Sequence, residues 1–113
     1  MPTEIINTDG SANPVTLSVN EVYGHRINTV IMINHAVVAT IQDNFDDYVL
    51  GTNVSLANNT IIVTTTSLKV TPSNNSEVDF TLKGAGPQQD DADPLQFAAG
   101  IGAIPHFMTY YML

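Results

Sequence analysis

Residues 52–70 read TNVSLANNTIIVTTTSLKV, and this stretch carries the clearest strand pattern in the chain. The pair Asn58-Asn59 suits a two-residue turn, because asparagine tolerates the positive φ angles that such a turn requires. A turn at this point predicts a β-hairpin in which directly opposed residues share one face of the sheet. The apolar residues on that face would be Val54, Leu56, Ile61 and Val63.

The composition of the whole chain favours strands over helices. Thr, Val, Ile and Asn are abundant, whereas Lys, Arg and Glu, which favour helices, are scarce. The length of 113 residues lies near the commonest size of a single domain. The chain has no cysteine, which excludes disulfides and thiolate metal sites. We therefore predict one all-β domain over residues 1–113.

Other segments outside this stretch also show strand periodicity. Residues 14–19 and 77–83 alternate apolar and polar side chains, as half-buried strands do. Within residues 52–70 themselves, the apolar phase changes near Thr66-Ser67, which predicts a bulge or bend there. Residues 84–94 lack an apolar pattern and are predicted to form a loop. Together these patterns predict a single antiparallel β-sandwich of seven to eight strands, immunoglobulin-like or jelly-roll-like in class but without the cysteines and tryptophan of antibody domains.

Residues 27–41 are too apolar to show a period, so two interpretations compete. The first is a hairpin that turns at Asn34-His35 and pairs Ile33 with Ala36. The second is one long strand, which would exceed the usual strand length of roughly 3–10 residues. We prefer the hairpin. In both interpretations the two faces are apolar, which predicts a central strand pair or a covering partner.

The C-terminal run, residues 95–113, contains no charged side chain. A membrane span needs about 20 apolar residues, but this run includes glycines, a proline and a histidine and lacks basic flanks. We predict instead a strand over residues 107–113 with two largely apolar faces. Such a strand needs a second covering surface, which is either the domain's own well-filled core or another copy of the chain. Tyr and Met are enriched at interfaces. The residues expected to form a self-association contact are Phe107, Met108, Tyr110, Tyr111 and Met112, with Ile31, Ile33 and Val38 as a second set.

Six of the eleven acidic residues lie in two short stretches. Carboxylates on two loops at one end of a sandwich are a common way to bind Ca²⁺, although the spacing here is not that of an EF-hand. The other interpretation is solvated loop charge that aids solubility. The acids predict, as an alternative function, a calcium-dependent, lectin-like module that binds carbohydrate. Its candidate metal ligands are Asp43, Asp46, Asp47, Asp90, Asp91 and Asp93.

The charge balance and the motifs argue against several classes of function. A net charge of −8 with three basic residues provides no basic surface for nucleic acid or for anionic lipid. There is no G-x-S-x-G nucleophile elbow, and the three histidines, His25, His35 and His106, are scattered along the chain. We therefore expect no catalytic role.

The leading hypothesis is a non-enzymatic structural or adaptor subunit that assembles with copies of itself into a homo-oligomer or a larger particle. The N-terminal residues show neither the basic nor the apolar region of a signal peptide. We accordingly expect synthesis in the cytoplasm, which is compatible with a place in a particle or with release without a classical signal.

Overall fold

The computed structural model describes residues 2–113, which form two packed β-sheets. One sheet has five strands in the order β1-β9-β6-β3-β4, and the other has four in the order β5-β2-β7-β8. Every neighbouring pair is antiparallel except β1 and β9, which are parallel. The elements are β1 (Thr3–Ile6), β2 (Pro14–Glu21), β3 (Arg26–Ile33), β4 (Ala36–Gln42), β5 (Phe45–Thr52), α1 (Asn53–Leu56), β6 (Thr60–Leu68), β7 (Asn75–Lys83), β8 (Gln89–Gln96) and β9 (Ala103–Met112).

The prediction of an all-β fold is confirmed, whereas the strand count is wrong. The part of the chain that the structure describes has nine strands rather than seven or eight. The prediction of a loop over residues 84–94 fails because β8 begins at Gln89 within it. This strand escaped prediction because its inward positions include Gln89, Asp91 and Asp93, so that no apolar alternation marks it. Within residues 2–113, no helix is long and apolar enough to cross a membrane.

The core forms where the inward residues of the two sheets meet. The predicted alternation is confirmed in β2 and β7, whose inward residues contact those of β6 and β9 across the interior. Burying such a side chain contributes roughly 1.5–3 kcal/mol to folding. The fully buried residues at the centre of this core are Val15, Leu17, Val19, Ile61, Val63, Val78, Phe80, Met108 and Tyr110.

The hairpin predicted at Asn34-His35 is confirmed. Both residues have positive φ angles, 49° and 67°, and Ile33 lies opposite Ala36. Further along, the register shifts by one residue between Ile31 and Met32, so that β4 contains a bulge at Val38. The segment is therefore a strand pair, with β3 inside the five-stranded sheet and β4 at its edge.

The hairpin predicted within residues 52–70 is wrong. β5 ends at Thr52 in the four-stranded sheet and β6 begins at Thr60 in the five-stranded sheet, so the chain crosses between sheets here. The crossing begins with the helical turn α1, which has a capping box. The Ser55 N–H donates to Thr52 Oγ1 at 3.2 Å, and the Thr52 N–H donates to Ser55 Oγ at 2.9 Å. As a result, Val54 is 59% exposed, although it was expected to lie beside core residues.

The bend predicted near Thr66-Ser67 is also wrong. β6 alternates without interruption, so Thr65 and Ser67 are fully buried while Leu68 is 43% exposed. The phase of burial is therefore constant, and the composition of the inward face changes from apolar to polar along the strand.

Asn53 connects three separated parts of the chain at the start of α1. Its side chain is fully buried, and its amide donates to the carbonyl oxygens of Asn13 at 3.1 Å and Gly84 at 2.8 Å. Its Oδ1 accepts from the Asp9 N–H at 3.3 Å. A hydrophobic side chain at this position would remove the partners of the Gly84 carbonyl and the Asp9 N–H, whereas the Asn13 carbonyl would still accept from the Asn53 backbone N–H at 3.1 Å.

We expect Asn53→Ala to lower the free energy of unfolding by about 2 kcal/mol, because the Gly84 carbonyl and the Asp9 N–H would lose their hydrogen bonds to this buried side chain. Urea unfolding at an unchanged m-value measures this loss. Val54→Ala is the matched control, because Val54 is the exposed neighbour on the same turn, and it should change stability by less than about 0.5 kcal/mol. Equal effects of the two substitutions would contradict this role of Asn53.

Candidate functional site

One end of the interior is polar. Ser67 on β6, Ser76 on β7 and His106 on β9 are fully buried, and Glu21 on β2 is 5% exposed. These residues face inward because they continue the alternation of the apolar core residues on the same strands. Buried polar side chains of this kind are costly unless they are hydrogen-bonded, so their partners determine whether the arrangement is stable.

Ser76 lies at the centre of this buried polar cluster. Its Oγ is 2.8 Å from Ser67 Oγ, 3.0 Å from Glu21 Oε2 and 3.0 Å from His106 Nε2. His106 Nδ1 is in turn 3.2 Å from Asp93 Oδ2 on β8. The cluster therefore connects five strands from both sheets.

Burial lowers the pKa of His106, and the nearby Asp93 carboxylate opposes this by raising it. The imidazole is therefore neutral near pH 7. Its Nδ1–H then donates to Asp93, which leaves Nε2 as an acceptor. The Ser76 hydroxyl has one proton, and the carboxylate of Glu21, the hydroxyl of Ser67 and Nε2 of His106 all lie within its reach.

The order Ser76, His106, Asp93 matches the order of groups in a serine-hydrolase triad, but the surroundings differ from those of an active site. A substrate has no route to Ser76 Oγ, because both Ser76 and His106 are fully buried. The Glu21 carboxylate next to Ser76 also accepts the backbone N–H groups of Tyr23 at 2.7 Å and His25 at 3.0 Å. The cluster thus holds the turn after β2 against β7, and its geometry supports a structural role.

A second polar group lies on the open side of the sandwich, between β8 and the pair β1–β9. Glu4 is the register partner of the fully buried Tyr110. The Tyr110 hydroxyl and Asp91 Oδ2 have no hydrogen-bond partner among the described residues. Burial, followed by hydrogen bonding and charge repulsion from Glu4, raises the pKa of Asp91 to about 6. Burial and the neighbouring carboxylates, Asp91 first, also raise the pKa of Tyr110.

The structure does not bring the two acidic stretches together. Asp43 lies in the turn after β4 and Asp46 lies on β5, whereas the second stretch lies on β8 rather than in a loop. β5 and β8 are the opposite edges of the four-stranded sheet, three strand spacings or about 14 Å apart. Within residues 2–113, no three His, Asp or Glu side chains are grouped so that they could hold a metal ion. The six predicted ligands, Asp43, Asp46, Asp47, Asp90, Asp91 and Asp93, therefore do not form one shared site.

Four of the eight residues predicted at a self-association contact lie in the core. Met108, Tyr110, Met112 and Ile31 are at most 1% exposed, so their placement at a surface is corrected. The reason is that even positions of β9 and odd positions of β3 face the opposite sheet. The other four residues remain accessible: Tyr111 and Val38 are exposed, and Phe107 and Ile33 are half-buried.

The outward side of the five-stranded sheet, called here the outer face, is almost free of charge. Cross-strand partners share a face, so one row runs from Thr109 through Ile62 and Met32 to Val37. Apart from Arg26 at one corner, every outward position of this sheet in the described part of the chain is uncharged. The outward positions that carry large apolar side chains are Ile5, Val30, Met32, Val37, Ile62, Leu68, Phe107 and Tyr111.

The acidic residues are concentrated on the opposite side of the molecule. The outward side of the four-stranded sheet carries Glu77, Asp79 and Asp90 beside the pair formed by Lys83 Nζ and Asp47 Oδ1 at 3.6 Å. The pKa of Glu77 is raised by its hydrogen bond with Asp79, by burial and by neighbouring carboxylates. The two sheets thus have outward sides of opposite chemical character.

The pH dependence of stability tests the buried cluster. Because the folded protein lowers the pKa of His106 below its ordinary value of 6.5, the unfolded chain binds a proton first as the pH falls. We expect His106 to reduce the free energy of unfolding progressively below pH 6.5, by up to about 1.4 kcal/mol per pH unit. His106→Gln should remove this component of the slope, whereas His35→Gln at the exposed turn should leave it. Identical slopes for the two variants would contradict the assignment.

Asp91 should act in the opposite direction. Because its pKa is raised from 3.8 to about 6, the folded protein retains this proton more strongly than the unfolded chain does. Its contribution to stability should therefore decline as the pH rises from about 4 to 6. We expect Asp91→Asn to increase the melting temperature more at pH 7 than at pH 4. Asp90→Asn, an outward neighbour on the same strand, is the control, and an equal gain from both would contradict the prediction.

Comparison with known proteins finds no similar protein. No family model matches the chain, and no curated protein or solved structure matches it significantly. A functional proposal therefore rests on the geometry of the described residues.

Proposed function

We propose that this protein is a non-enzymatic structural or adaptor subunit that assembles with copies of itself through the outer face of the five-stranded sheet. The observation that supports this most directly is the separation of charge between the two sheets. The acidic side faces away from the assembly contact, and the uncharged side forms it.

The exposed apolar side chains of the outer face support this proposal. Ile5 is 66% exposed, Val37 is 61% exposed and Tyr111 is 46% exposed, on three strands of one sheet. An antiparallel sheet with one solvated side normally presents polar residues there, as the four-stranded sheet of this protein does. Large apolar side chains that are exposed on three strands of the other sheet are typical of a surface that a partner covers.

The net charge restricts where two copies can meet. A chain of net charge −8 repels its own copies at any surface where acids accumulate. Contact through the outer face keeps the acids of the four-stranded sheets on the far sides of both copies. Repulsion across that greater distance is screened by salt, since the Debye length is about 8 Å at physiological ionic strength.

The calcium-dependent carbohydrate module is less well supported. It requires ligands from both acidic stretches, and these lie on opposite edges of one sheet. Self-assembly requires only residues that are already accessible, among them Phe107, Tyr111 and Val38 from the predicted contact set.

We expect the purified protein to have a mass above that of the 12.2 kDa chain in sedimentation velocity, and to dissociate on dilution. Tyr111→Asp should weaken this association by about tenfold or more, because it introduces a charge into an apolar contact. Val49→Asp is the matched control, since Val49 is 57% exposed on β5 in the other sheet. Circular dichroism of both variants checks that they are folded.

A wild-type protein that sediments as a monomer up to about 100 μM, well above ordinary specific affinities, would overturn the proposal. Equal weakening by Tyr111→Asp and Val49→Asp would show that the outer face is not the contact.

A further inference from the structure

We propose that two copies join edge to edge, with β4 of one copy pairing antiparallel to β4 of the other in a continuous ten-stranded sheet. This inference rests on the proposed self-assembly and specifies its first contact. The partner is a second copy of this chain, and the contact is made by backbone groups of the edge strand as well as by side chains.

Three of the four edge strands carry features that prevent pairing between sheets. β1 has four residues and directs Glu4 inward. β5 carries Asp46 and Asp47, and its register with β2 is interrupted at two places. β8 contains three aspartates and Pro94. Charge, proline, shortness and irregularity each disfavour the addition of another strand.

β4 has the sequence AVVATIQ, without charge, proline or glycine. Its only irregularity is the bulge at Val38, which leaves residues 39–42 in regular pairing with β3. Val37 is 61% exposed and Val38 is 47% exposed, so apolar side chains accompany the open edge. Among the described strands, β4 is thus the edge best suited to accept a partner strand.

The turn geometry indicates which backbone groups are available. In a two-residue hairpin the residues that flank the turn, Ile33 and Ala36, form a hydrogen-bonded pair. The next pair is then not hydrogen-bonded, so the N–H and C=O of Val37 point away from β3. These groups are positioned to bond a strand added at the edge.

A second copy suits this edge better than an unrelated acidic or basic segment. A two-fold axis perpendicular to the sheet pairs β4 with itself, so only neutral side chains meet. The charges nearest the strand, Arg26 and Asp43, form an ion pair 3.3 Å apart at its end. Antiparallel pairing places this ion pair next to the Asn34-His35 turn of the other copy. The two outer faces then form one surface of twice the width, continuous with the surface proposed for assembly.

Cysteine scanning tests this contact directly, because the chain contains no cysteine of its own. Val38→Cys, Thr40→Cys and Gln42→Cys would be oxidised separately at a concentration where the protein is associated. We expect a disulfide-linked dimer whose yield is highest at one position, the one nearest the two-fold axis, and lower at the others. Ala92→Cys, at an exposed position of the β8 edge, is the control. Yields at all three β4 positions no higher than the control would overturn the inference.

A second variant separates this contact from the outer face. Val37→Pro removes an N–H that points away from β3, so it should leave the monomer folded and weaken association by about tenfold or more. If Tyr111→Asp weakens association while Val37→Pro and the cysteines have no effect, the edge contact is overturned and the proposed function stands. If the reverse is found, the edge contact stands and the outer face is overturned. A protein that is monomeric throughout overturns both.

Discussion

Each strand of this protein turns alternate side chains toward the opposite sheet, and this constraint decides which residues are available for anything else. It takes the even residues of β9 and the odd residues of β3 into the core, among them Met108 and Ile31. The same alternation leaves Tyr111 outside, because it follows the buried Tyr110 directly. A strand whose two faces are both apolar therefore fills the core with one face and presents the other as a surface that water covers poorly.

The constraint also explains why the interior contains a polar cluster. Once Ser67, Ser76 and His106 occupy inward positions, their polar atoms must be satisfied within the protein. A register slip of one residue in β7 would move Ser76 to the outward face and leave Glu21 buried without that partner. The cluster thus adds a penalty against wrong pairings that the apolar part of the core does not supply, since hydrophobic contact is non-directional.

Sequence patterns predicted the strands in which apolar contrast is strong and failed where it is weak. Alternation in β2 and β7, and the turn at Asn34-His35, followed from side-chain periodicity and turn chemistry. The crossing at α1 was not predicted, because the Asn58-Asn59 pair resembles a hairpin turn. The capping residues Thr52 and Ser55 instead start a helical turn just before that pair. Apolar periodicity does not indicate the buried cluster, because its inward residues are polar. The numbering along β6 could have indicated it: Thr65 and Ser67 occupy odd-numbered positions, as the buried Ile61 and Val63 do.

The distribution of charge is the feature that a solitary globule explains least well. Concentrating Glu77, Asp79 and Asp90 on one sheet raises their mutual repulsion. Spreading the same acids over both sheets would lessen that repulsion and would also keep the five-stranded sheet soluble. The observed arrangement leaves the outer face without these charges, which is the observation behind the proposed self-assembly. Since β4 continues that uncharged side to an edge without charge or proline, we propose that copies of this chain supply both the added strand and the covering partner.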